Sequence, residues 1–334
     1  MSQAYEIPRI GVMKVTAKSI VTYGQSLIDI PRTAKQRAAE SNLSRGDKNG
    51  YMSDKTKRSI TKILRCWING VTEYRKSTSR AWLPKMPYFT FVTLTLSSQQ
   101  NHTDKEIRRK MVFPFIQKLQ RKHNVWHYLF VCEKQSNGNL HIHLLIDSYI
   151  HWTAIRALWN ETQELHGYIQ PFFEKYNHRN PNSTDIHKIQ KVKDLQAYVI
   201  KYMTTDKKDI KLDGRLWGCS NSLRELKPYN TIIEGIANSA LAQIQKSPEF
   251  TIKQEENFTL IIGPVYSFLH RYHKKFFDEV QKYYSQQIER LYKVHPDIID
   301  QIKKQQTEEI KKEQRDLEIW KPKKKIIPQL QLNY

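Results

Sequence analysis

The sequence predicts an α+β protein, with a central domain of strands and helices between two basic, largely helical flanks. Three observations carry this. Tyr88–Ser97 reads YFTFVTLTLS, a run of aromatic and β-branched residues that marks a strand. Val125–Glu133 and Leu140–Ile146 are two more strand candidates, joined across a turn that contains Asn137-Gly138. Elsewhere the apolar residues recur at helical spacing.

In the first region, 1–84, a polar, loop-like stretch from Ala34 to Tyr51 precedes one helix. Ile60, Ile63, Leu64, Trp67, Ile68 and Val71 line one side of it, and Ser53 stands before the run as N-cap. In the central region, 85–229, Thr103 and Glu106 form a capping box that opens a helix towards His123, bent or interrupted at Pro114. After the hairpin, Ile155, Leu158, Trp159 and Thr162 predict a helix over Thr153–Leu165. Thr184–Val192 reads as a further strand, and Asp194 caps a short helix from Leu195 to Met203. The third region, 230–334, reads as mostly helical: Tyr266–Tyr292 is basic, aromatic and amphipathic, and Pro296–Leu317 is highly charged. Lys321–Tyr334 reads as a loosely held tail.

Charge narrows the partner. Lys and Arg number 55 against 33 for Asp and Glu, a net charge of +22, and 11% of residues are aromatic. That balance suits a polyanion gripped by phosphate contacts and base stacking, a nucleic acid before an anionic membrane surface. No run is apolar over the roughly eighteen residues that a membrane span needs. Met1–Ile10 carries charges and a proline where a signal peptide has its apolar core. Cys66, Cys132 and Cys219 are far apart and suggest neither a disulfide framework nor a cysteine zinc site, so a cytoplasmic location is expected.

The chemistry concentrates in two motifs. Residues two apart on a strand share a face, so His141 and His143 present two imidazoles together while Ile142 turns into the core. A third ligand has to be close. With a three-residue loop, Ser136-Asn137-Gly138, Glu133 faces His141 across the hairpin. A two-residue turn would instead send its carboxylate to the opposite face, leaving Gln135 as the substitute. Two imidazoles and a carboxylate suit Mg²⁺, Mn²⁺ or another divalent metal that also holds a phosphate oxygen; taken alone, a His-x-His is as well read as an ordinary polar strand face. In the second motif, Tyr198, Lys201 and Tyr202 share one helical face. A tyrosine is a fair attacker and a fair leaving group in phosphodiester cleavage, and an ammonium nearby lowers its pKa or neutralises the phosphate. The bland alternative is an amphipathic helix with two packed tyrosines.

Together these motifs resemble the HUH endonuclease superfamily, and within it the rolling-circle replication initiators of small plasmids and single-stranded DNA phages. Phe91–Leu96 is similar to the family's first motif, Glu133 with His141-Ile142-His143 to its metal motif, and Tyr198–Tyr202 to its Tyr-x-x-Lys motif. Gly214–Ser220 looks like a segment that follows the nucleophile helix in phage-type initiators. The resemblance covers Tyr88 to Leu226. It implies a five-stranded antiparallel sheet of ferredoxin- or RRM-like topology, with Glu133, His141 and His143 holding Mg²⁺ or Mn²⁺. It implies that Tyr198 attacks single-stranded DNA at an origin hairpin, leaving a 5′-phosphotyrosine and a 3′-OH that primes the host polymerase. Tyr202 would serve the second cleavage. No Gly-x-x-x-x-Gly-Lys-Ser/Thr loop occurs, which assigns unwinding to a host helicase. The rival readings are a single-tyrosine transposase of the same chemistry and a non-catalytic DNA-binding repressor on the same fold.

Overall fold

The computed structural model describes residues 9–27, 33–35, 52–77, 89–188 and 212–292. The fold is α+β, with two five-stranded antiparallel sheets. The central sheet joins β3 (Thr90–Leu94), β4 (Tyr128–Lys134), β5 (Leu140–Ile146), β6 (Thr184–Lys188) and β7 (Trp217–Cys219) in the order β6-β3-β5-β4-β7. This is the five-stranded antiparallel sheet that the resemblance implies.

Both faces of that sheet are covered. Val92, Leu94, Phe130, Ile142 and Leu144 face a core shared with α3 (Phe113–His123) and α4 (Trp152–Glu164). Phe91, Leu129, Val131 and Leu145 point the other way and pack with α1 (Asp54–Ser77) and with Leu223 of the short helix α6 (Asn221–Arg224). Strand alternation divides these two sets. Ser53 caps α1, its Oγ accepting from the Thr56 amide at 3.2 Å, and all six apolar positions read from the sequence are buried.

The helix expected from Thr103 to His123 opens on the capping box: Thr103 Oγ1 accepts from the Glu106 amide, and the Glu106 carboxylate from the Thr103 amide. It runs as α2 (Asp104–Ile107), a π-helical turn (Arg108–Val112) and α3. Pro114 causes the irregularity without ending the run. It has no N–H for the Lys110 carbonyl one turn back. The wider turn absorbs the ring, and His166 Nε2 lies 3.1 Å from that carbonyl as its replacement donor.

The flanks contain the expected helices and also a second sheet that the sequence reading did not anticipate. β1 (Arg9–Val15) and β2 (Ser19–Ser26) pair with β8 (Tyr229–Ile232), β9 (Thr251–Gln254) and β10 (Phe258–Ile262) in the order β8-β1-β2-β10-β9. The stretch Tyr266–Tyr292 is two helices, α8 (Val265–Tyr272) and α9 (Lys274–Tyr292), parted at His273, whose ring bonds Gln243 of α7 (Gly235–Lys246) at 2.9 Å. Tyr284 of α9 knits the parts: its hydroxyl donates to the Val15 carbonyl (2.8 Å) and accepts from the Tyr229 amide (3.2 Å). Trp67 Nε1 on α1 donates to Tyr292 Oη at 3.1 Å, beside the buried His127–Asp147 pair (2.7 Å). No helix among the described residues is long and apolar enough to cross a membrane.

Candidate metal centre

The hairpin between β4 and β5 decides the site. Gly138 N–H donates to the Gln135 carbonyl and Gln135 N–H to the Asn139 carbonyl, both at 2.9 Å. The loop is therefore Ser136-Asn137-Gly138, closed by Gly138 at φ 83°, a backbone region open to glycine. The Asn137 side-chain oxygen accepts from the Asn139 amide, and Lys134 Nζ donates to the Gly138 carbonyl at 2.8 Å. The ladder then pairs Glu133 with His141 directly. This is the three-residue register, and Gln135 is not needed as a substitute.

Glu133 Oε1 lies 3.1 Å from His143 Nε2 and 3.4 Å from His141 Nδ1. One ligand atom from each residue can be chosen so that all lie within 4.8 Å of one another, the one such cluster among the described residues. Two imidazole nitrogens aimed at one carboxylate oxygen are held by shared protons or by a cation. The donor set is two nitrogens and one oxygen, intermediate in softness, and it fits a divalent ion that keeps positions open for another ligand. The identity of the ion does not follow from the donors.

Neighbours fix the His143 ring. Phe91 stacks on it, centroids 5.5 Å apart and planes 16° from parallel. Thr93, its ladder partner on β3, places Oγ1 3.3 Å from Nδ1. With Nδ1–H donated to Thr93, Nε2 keeps its lone pair for a cation. Thr93 and Phe91 were not singled out from the sequence as site residues. The only signal was their place in the first motif, and Thr93 gains its role from the β3–β5 register.

A buried polar cluster supports the hairpin from the far face. Asp104 pairs with Lys134 at 2.6 Å, accepts from Gln100 at 2.7 Å and takes the Asp213 amide at 3.1 Å. Burial pushes the Asp104 carboxyl up, but the bonds from Lys134, Gln100 and Asp213 outweigh it and leave the pKa below the usual value. Arg108 donates to the Asp213 carbonyl at 2.5 Å, and the chain turns at Gly214 with φ 80°. From there it enters β7, where the Leu216 carbonyl accepts from the Cys132 amide at 2.7 Å. The Gly214–Ser220 segment thus forms the edge of the central sheet. Tyr198, Lys201 and Tyr202 lie outside the described residues, as does the helix expected over 195–203.

With this geometry in hand, comparison with known proteins is informative at one level. Residues 89–207 match a family model of replication-associated proteins, the ORF2 type. The match begins at β3, includes the whole metal cluster and extends through the Tyr-x-x-Lys motif. No curated protein and no solved structure matches the chain.

Proposed function

We propose that this chain, whose central segment is a domain of the ORF2-type replication-associated protein family, is a rolling-circle replication initiator that nicks and rejoins single-stranded origin DNA. The observation that carries the reading is the cluster of Glu133, His141 and His143 on one sheet face, upstream of Tyr198-x-x-Lys201 within one family match. Mg²⁺ or Mn²⁺ held by these three side chains would supply Lewis-acid polarisation of a phosphate oxygen.

The chain's own residues do the rest. The Tyr198 oxygen forms a bond to phosphorus and the bond from phosphorus to the 3′ oxygen breaks. The phenol proton leaves to solvent or a base, and the departing 3′ oxygen takes up a proton. The products are a 5′-phosphotyrosine and a 3′-OH, and attack by a 3′-OH reverses the step. Lys201, one turn along, favours the phenolate and offsets phosphate charge. Tyr202 stands one turn from Tyr198, about 6 Å along a helix axis, and would serve the second strand transfer. The 3′-OH primes a host polymerase, and a host helicase unwinds the duplex.

The test is covalent-adduct formation with Mn²⁺ on single-stranded oligonucleotides tiling the DNA around the gene. Tyr198→Phe should abolish the adduct and Tyr202→Phe should retain it. Loss with Tyr202→Phe alone reverses the roles. Metal-independent binding without any adduct from the unmodified chain would leave a DNA-binding repressor instead.

A further inference from the structure

The described helices bury apolar side chains, with one exception. Helix α5 (Gln170–Tyr176) contains no buried residue, yet it and the two turns after it carry Phe172, Phe173, Tyr176, His178, Lys175 and Arg179. Phe172 and Tyr176 lie with ring centroids 4.6 Å apart, and His178 closes on Phe172 at 5.0 Å. The Arg179 guanidinium sits over the Phe173 ring at 4.5 Å, and Lys175 Nζ stands 5.2 Å from the Tyr176 centroid. Glu164 pairs with Arg179, and the Gln170 amide oxygen accepts from it at 3.1 Å. Tyr176 is 52% exposed. Three aromatic rings kept at the surface in this way do nothing for a core.

The helix is nevertheless firmly rooted, and its root leads to the metal centre. Tyr168 and Ile169, just before it, are wholly buried. The Tyr168 carbonyl accepts from Ser97 Oγ at 2.8 Å, and its hydroxyl from the Asn101 and His102 amides. The loop 97–102 is in turn latched to the metal hairpin: Gln100 N–H donates to Asn139 Oδ1 at 2.9 Å and Gln100 Oε1 accepts from the Leu140 amide at 2.7 Å. On its other side the chain from α5 enters β6 at Thr184, next to the β3 end that carries Thr93. Glu133 and His141 stand at this same end of the sheet, so α5 and the cluster are joined by one polar, amide-rich loop.

We infer that α5 is a stacking platform for unpaired bases of the DNA strand flanking the scissile phosphate, with the strand running from the metal hairpin across loop 97–102 to Phe172 and Tyr176. Exposed rings beside cations fit a single strand: every base has a π-face to stack, and the phosphates meet Lys175 and Arg179. A duplex hides those faces, so the platform selects unpaired DNA without reading its sequence. This inference rests on the nuclease reading for the direction of the strand, and on the helix itself for the kind of ligand.

The test uses the full chain in EDTA with a mixed-sequence single-stranded oligonucleotide carrying 2-aminopurine. Phe172→Ala/Tyr176→Ala should raise Kd about tenfold or more and relieve quenching of the probe, with the dependence on salt unchanged. Lys175→Ala should instead reduce the salt slope by about 0.7. Tyr176→Phe keeps a ring and should bind like the unmodified chain. Because α5 buries nothing, thermal melting should be the same in all. Unchanged affinity and quenching in the double variant overturn the platform, even if the unmodified chain forms adducts normally. Weakened binding in the double variant, with no adduct from any chain, keeps the platform and sinks the nuclease reading. If the unmodified chain binds no single strand at all, both fall.

Discussion

Glu133 illustrates how a side chain's chemistry depends on one turn residue. Its carboxylate meets both imidazoles because Gly138 closes a three-residue loop and the ladder pairs 133 with 141. A turn one residue shorter would have put it on the opposite face. This residue was legible in the sequence because its partner is eight positions away and the turn chemistry is local. Thr93 was not legible as a partner of His143, because its contact depends on a pairing fifty positions apart. The two residues are separable by experiment. Glu133→Gln removes the cluster's one negative ligand, and Mn²⁺ affinity by isothermal titration should fall by more than about tenfold. Thr93→Val leaves the ligands in place and suits a strand, but takes away the hydroxyl at His143 Nδ1, and affinity should fall about tenfold. Wild-type Mn²⁺ binding in Thr93→Val would remove that hydroxyl from the site's support.

At the scale of elements, the metal hairpin, the π-helical turn and the edge strand β7 meet at Asp104. Its ion pair with Lys134 is nearly buried, with the two side chains 6% and 11% exposed. Removing one partner of such a pair strands the other charge, at about 3–5 kcal/mol. Asp104→Asn should therefore lower stability by about 3 kcal/mol at neutral pH. The native pKa is depressed, so the contribution is present above the unfolded value of about 4 and is lost as pH falls through the lower folded value. Urea midpoints measured from pH 7 down to pH 3 should converge for the native chain and the variant. Parallel curves would show that the carboxylate is not what holds Lys134. The capping box and the Pro114 irregularity were readable here because caps and prolines act within one helical turn. The replacement donor, His166, was not, since it comes from the far side of α4.

At the scale of the molecule, the least legible feature is the outer sheet. β1 and β2 pair with strands more than two hundred positions away, and each is short, with alternation too brief to stand out from its surroundings. Such pairing is fixed by what the strands cover. The consequence is that the central domain does not stand alone. Phe91, Leu129, Val131, Leu145 and Leu223 are buried in the core that the central sheet shares with α1, α9 and the outer sheet. Each fully buried side chain of this kind contributes about 1.5–3 kcal/mol. Five of them come to about 8–15 kcal/mol, as much as the whole stability of a typical domain. A fragment restricted to 85–229 exposes that face and gains nothing in exchange. It should bind a hydrophobic dye and lack the cooperative melting transition of the full chain. If the fragment melts cooperatively at the temperature of the full chain, the second face of the central sheet contributes little. The flanks would then be attachments to the central domain and no part of its core.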